Sequence, residues 1–94
     1  MAVRLVSADV PVIPARCRLQ WEAAQQAYVI LYPEGMVKLS ASAGEIMKRI
    51  DGRASIAEVI RSLEQAFPGA DLRADVIEFL NAAYARGWIE VPGR

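Results

Sequence analysis

The 94-residue chain has no histidine, a single cysteine and no excess of either charge. Without histidine there is no Ser-His-Asp or Cys-His nucleophile and no imidazole metal site. Cys17 alone closes no disulfide within the chain and builds no all-cysteine zinc or iron–sulfur centre. Eleven basic side chains balance eleven acidic ones, nine Arg and two Lys against seven Glu and four Asp. Residues 1–50 carry six bases and four acids, and residues 51–94 five and seven. Neither half has the basic surplus on which phosphate binding depends. No run approaches the length of a membrane span. The apolar opening is broken by Arg4 and Asp9, so it lacks the unbroken core of an export signal. These absences predict a reduced, cytoplasmic, non-catalytic chain with no metal and no cofactor.

What remains suffices for one domain. Apolar residues make up 54% of the chain, but many are alanine, which leaves enough larger side chains for one modest core. Residues 1–15 carry Pro11 and Pro14 without a clear period and read as an extended arm, followed by a single domain over 16–94. From Cys17 to Glu22 the pattern alternates, with Cys17, Leu19 and Trp21 on the face predicted to be buried. Ala27–Tyr32 is a continuous apolar run and predicts a central strand. Pro33-Glu34-Gly35 predicts a three-residue turn with Gly35 at positive φ, and Met36–Leu39 the returning strand.

At Ser40 the period changes from two to 3.6 residues. Ser42-Ala-Gly-Glu45 predicts a capping box for a helix that runs to Asp51-Gly52. Ser55-Ile-Ala-Glu58 predicts a second, followed by a stripe of Ile56, Val59, Ile60, Leu63 and Phe67 that ends at Pro68-Gly69. Asp71 is the expected N-cap of a third helix with a core face of Leu72, Val76, Phe79, Leu80 and Ala83 and with Gly87 as terminator. The expected class is α+β: a three-stranded antiparallel meander followed by three helices, βββααα, in a winged helix-turn-helix-like arrangement.

Two features stand out as interaction surfaces. The third helix carries three acids and two bases, which opposes the nucleic-acid reading of such a fold. Arg73, Ile77 and Tyr84 stand to one side of its core stripe, with Leu80 bridging them to the core. Two placements satisfy this pattern: packing under the meander or the arm, or a hydrophobic wall for a partner segment. The second feature is the terminal strand Met36, Val37, Lys38 and Leu39, whose outer edge carries no proline and only Lys38 as a guard. An open edge beside an apolar helix suits strand addition by a peptide. It equally permits a homodimer paired through strands. The alternative class is a winged-helix factor that binds nucleic acid or assembles proteins.

Arg16-x-Arg18-Leu19-Gln20-Trp21-Glu22, Leu31-Tyr32-Pro33-Glu34-Gly35, Leu39-Ser40 with Ala43 and Ile46, and Asp51-Gly52 follow one another in a fixed order. With Ile56–Ile60, Val76, Phe79-Leu80 and Arg86-Gly87 downstream, this set resembles the PqqD family of pyrroloquinoline quinone biosynthesis proteins. The resemblance covers about residues 14–91. It implies a non-catalytic protein that binds a small ribosomal precursor peptide and presents it to a radical S-adenosylmethionine enzyme. It also implies that the peptide adds as a strand beside Met36–Leu39 and packs on the third helix at Arg73, Ile77, Leu80 and Tyr84.

Overall fold

Six consecutive apolar residues, rich in β-branched and aromatic side chains, form the strand around which the sheet is built. In the computed structural model, which describes residues 4–93, the strands are β1 (Arg18–Glu22), β2 (Ala27–Tyr32) and β3 (Gly35–Lys38). The helices are α1 (Ala41–Met47), α2 (Ile56–Ala66) and α3 (Arg73–Arg86). The expected βββααα order is thus the one observed. The strands form an antiparallel meander in the order β1-β2-β3. Consecutive Val29 and Ile30 are both fully buried, so both faces of the central strand are covered at its middle. None of the described helices is long and apolar enough to cross a membrane.

The hairpin differs from expectation in a way that matters for its edge. Tyr32 pairs directly with Gly35, so the turn is the two residues Pro33-Glu34 and β3 begins one residue early. Gly35 is not among the glycines with positive φ. Trp21 is also a correction: it is 49% exposed, with its ring edge-on to Tyr28 at 5.1 Å between centroids. Burial along that face of β1 fades from Cys17 through half-buried Leu19 to Trp21. Period alone marks a face, whereas burial also needs a layer above it, and α1 packs on β2 rather than over this end of β1.

That packing depends on Gly44. A Cβ at Gly44 would lie 3.0 Å from a ring carbon of Tyr28, so only glycine lets α1 approach the strand this closely. The helix is capped two residues earlier than the spacing suggested, because Ser40 Oγ accepts from the Ala43 N–H at 3.1 Å. Glu45 is therefore free to pair with Arg49 at 2.8 Å and Lys48 at 3.2 Å. The hydrogen bond from Arg49 holds the Glu45 carboxyl below its ordinary range. The helix ends at Met47, and Asp51 accepts from the backbone N–H groups of Ala54 and Arg53, which lowers its pKa too.

The second capping box forms as expected, with the Glu58 N–H donating to Ser55 Oγ and the Ser55 N–H to Glu58 Oε1. The next open donors of α2 are met by the arm: Ile56 N–H donates to the Asp9 carbonyl and Ala57 N–H to that of Ser7. Leu5 is buried and donates its N–H to Asn81 of α3 at 3.0 Å. Val12 and Glu90 exchange two backbone hydrogen bonds of 2.8 Å, which bring the chain's last residues back against the arm. α3 starts after Leu72, which has no side-chain cap, so Asp71 does not serve as its N-cap. Phe67 lies beyond the end of α2, 47% exposed rather than in the core stripe.

Two outcomes follow for stability. Ser55→Ala removes the Ser55 half of the box and should cost about 1 kcal/mol in urea unfolding. The depressed carboxyls of Glu45 and Asp51 give stability that is complete above the ordinary carboxylate range, about pH 4, and lost as pH falls through their lower folded values. With no histidine to titrate, melting temperature should be flat from about pH 5 to 7 and drop below about pH 4. Glu45→Gln should shrink that acid drop, as melts at pH 3, 5 and 7 would record.

Candidate functional site

The direction of each backbone group on β3 follows from its register. Leu39 N–H donates to the Tyr28 carbonyl at 2.9 Å. In an antiparallel ladder hydrogen-bonded pairs alternate, so Val37, paired with Ile30, also turns its N–H and C=O toward β2. Met36 and Lys38, paired with Leu31 and Val29, turn theirs outward. No further described strand lies on that side. The free edge therefore consists of the backbone groups of Met36 and Lys38, and both side chains are exposed.

Side chains alternate the other way. Val37 is half-buried and packs against the core, and Leu39, just past the strand, is buried within it. Val37 also lines a cleft of about 400 Å³ together with Tyr32 and Pro33 of the hairpin, Cys17, and Arg86 and Trp88 at the end of α3. The segment after β3 meets α3 as well. Ser40, Ala41 and Ile46 share an apolar cleft of about 550 Å³ with Leu72, Asp75 and Phe79 of the third helix and its approach. Both ends of α3 thus adjoin the β3–α1 segment, through the helix flank that carries Asp75, Phe79 and Arg86.

The helix residues singled out from sequence divide differently. Leu80 is fully buried. Tyr84 is half-buried and packs on the core. Arg73 donates to Ser7 Oγ at 2.6 Å, and Ile77 lines a shallow cleft with Arg4, Arg73 and Asn81. Arg73 and Ile77 therefore face the arm, one of the two placements open at the sequence level. The helical period assigns Phe79 to the core face, where it is only half-buried, and passes over Arg86, because nothing in that period distinguishes the flank beside β3 from the flank beside the arm. Charge gave the one available signal: Arg86 is the basic residue at the helix end that opens toward the hairpin.

The second wall of the Val37 cleft is set by Gly87. It has φ 79° and closes α3, with its N–H donated to the Tyr84 carbonyl at 3.1 Å. Its carbonyl accepts from Arg16 Nη2 at 3.2 Å and from the buried Cys17 thiol at 3.5 Å. Arg16 also pairs with Glu90 at 2.8 Å, which raises the pKa of the guanidinium.

Comparison with known proteins places this arrangement in a family. The family described as coenzyme PQQ synthesis protein D (PqqD) matches residues 27–89, from the start of β2 to the residue after Trp88. The chain belongs to the PqqD family. A relative from Azotobacter vinelandii, named PqqA binding protein, is 48% identical over 84 residues, 88% of this chain and 91% of its own length. One of the same name from Acinetobacter baylyi is 50% identical over 80 residues, 84% and 81% of the two chains. The solution NMR structure of the PqqD truncation of Methylobacterium extorquens PqqCD superposes with a TM-score of 0.78 at 26% identity. The match covers 95% of this chain and 96% of that one. That PqqD is described as a functional, stand-alone recognition element for ribosomally synthesized and post-translationally modified peptides. In this PqqD-family chain the matched span contains the β3 edge, all of α3 and the cleft lining except Arg16 and Cys17.

The register separates two proline variants. Val37→Pro deletes a bond to β2 and leaves a strand carbonyl bare, costing about 2–3 kcal/mol. Lys38→Pro removes an outward donor and an exposed side chain, neither of which bonds to β2, and should unfold within about 0.5 kcal/mol of the parent. Gly87→Ala must hold alanine in the left-handed region with its Cβ 3.2 Å from Arg16, and should cost roughly 1–2 kcal/mol. Chemical denaturation of the three variants tests the ranking.

Proposed function

We propose that this chain is a peptide-binding adaptor of pyrroloquinoline quinone biosynthesis. It captures the PqqA-type precursor peptide as an added strand on the outer edge of β3 and presents it to a radical S-adenosylmethionine enzyme. The observation that carries this reading is the edge itself. The outward backbone groups of Met36 and Lys38 form a ladder template beside clefts lined by Val37, Phe79 and Arg86. The names of the relatives and the recognition-element description of the structural neighbour support the choice of ligand.

Backbone pairing at Met36 and Lys38 would supply affinity, and the helix flank would read alternate side chains of the peptide. Leu39 and Leu80 hold the two walls from within the core. Arg73, Ile77 and Tyr84 belong to the proposed site if the peptide continues over the arm side of α3. The chain itself performs no chemistry in this reading: it has no histidine and its cysteine is buried, consistent with a cytoplasmic partner of the enzyme that does.

Titrating the isotopically labelled chain with synthetic Azotobacter vinelandii PqqA should shift the amides of Met36–Leu39 and of α3. Absence of any shift up to millimolar peptide would reject the proposal. Lys38→Pro, expected to keep the fold, should weaken binding about tenfold relative to Lys38→Gln, which removes the ammonium but keeps the backbone donor. Phe79→Ala should weaken binding several-fold more than Ile77→Ala; the opposite ranking would place the peptide on the arm side of α3.

A further inference from the structure

Three surface clefts among the described residues differ in charge. The one between α1 and the start of α3 is apolar, rimmed by Glu45 and Asp75, and has no basic lining residue. The one beside the arm balances Arg4 and Arg73 with Asp71 and Glu78. The Val37 cleft has two guanidinium groups, Arg16 and Arg86, and one acid, Glu34, on the hairpin turn.

Those two arginines are in different states. Arg16 is committed to Glu90 and to the Gly87 carbonyl. Arg86 lies 5.3 Å from the centroid of the Trp88 ring and makes no ion pair or hydrogen bond from its side chain among the described residues. Its charge is held in position by an aromatic face while all five N–H donors remain open. The left-handed turn at Gly87 is what brings Trp88 back beside Arg86. Glu34 ion-pairs with neither guanidinium among the described residues.

We infer that the Arg86–Trp88 corner is a specificity subsite for a carboxylate side chain, aspartate or glutamate, of the bound peptide. The inference rests on the proposed strand addition at β3. A strand added there lies about 4.8 Å from β3 and turns every second side chain to the face on which Val37 lies. One of those side chains then falls into the cleft beside Arg86. An apolar side chain there would strip water from the guanidinium without replacing its hydrogen bonds, whereas a carboxylate would accept two of them. The exposed Lys38 ammonium on the same edge adds to the local positive potential. The opposite end of α3, with Asp75 at an apolar cleft, disfavours an acid, so the groove imposes a charge polarity on its ligand.

Calorimetric titration of the full chain with synthetic Azotobacter vinelandii PqqA tests this. Arg86→Glu should lower affinity about tenfold or more, and Arg86→Gln about fivefold. In the peptide, each Asp and Glu is changed in turn to Asn or Gln. One of these changes should match the Arg86→Gln loss and add nothing further when combined with it, the mark of a direct pair. Arg86 is exposed, so both variants should melt as the parent does, and the peptide series gives the same answer should Arg86→Glu fail to fold. Unchanged binding by Arg86→Glu while Lys38→Pro binds weakly overturns the carboxylate subsite but leaves strand addition standing. So do additive losses at every peptide carboxylate. If Lys38→Pro and Arg86→Glu both bind as the parent does, strand addition at β3 fails and the subsite falls with it.

Discussion

The turn at Gly87 is the constraint on which the rest of the site depends. A left-handed residue there ends α3 and sends Trp88 back beside Arg86, Ile89 into the core and Glu90 onto Val12. Its carbonyl is then the common acceptor for Arg16 and Cys17, the two residues that lead into β1. One backbone position thus joins the end of the last helix to the start of the first strand. Gly87 and its neighbours Arg86 and Trp88 form the wall of the cleft that faces the hairpin and Val37. The left-handed conformation demands glycine, and a Cβ would in addition press on the Arg16 guanidinium at 3.2 Å.

The sheet provides the complementary element. β2 is buried on both faces and paired on both sides, and so is closed to any partner. β3 is only four residues long and offers just two residues with outward backbone groups. So short an edge is a poor template for indiscriminate pairing, which requires long runs. It gains selectivity only from what stands beside it. In this molecule that neighbour is a helix flank with an apolar, acid-rimmed end and a cationic, aromatic end.

Much of the fold was legible because local rules and tertiary packing agree. The Ser55–Glu58 box, the glycine terminator at 87, the period-two run of β1 and the apolar run of β2 each appear where the residues suggested. The departures share one physical cause. Trp21 alternates correctly but extends past the layer that would cover it. Ser42 has the spacing of a cap, yet Ser40 occupies the extended conformation that capping requires. Asp71 has cap chemistry, but the helix begins after Leu72. In each case several residues satisfied the local rule, and the packing of neighbouring elements chose among them.

The same division holds for the site. By itself the sequence determined the element order, the central place of β2, the presence of a terminal strand guarded by Lys38 alone, and charge neutrality without a titrating imidazole. Those properties come from composition and period, which act over a few residues. Only the tertiary structure decided which flank of α3 faces the strand edge and which faces the arm. That choice depends on the rotation of a helix about its axis, fixed here by Arg73 on Ser7, Asn81 on Leu5 and the Gly87 carbonyl on Arg16. Each of those contacts is between residues far apart in the chain, where periodicity carries no information.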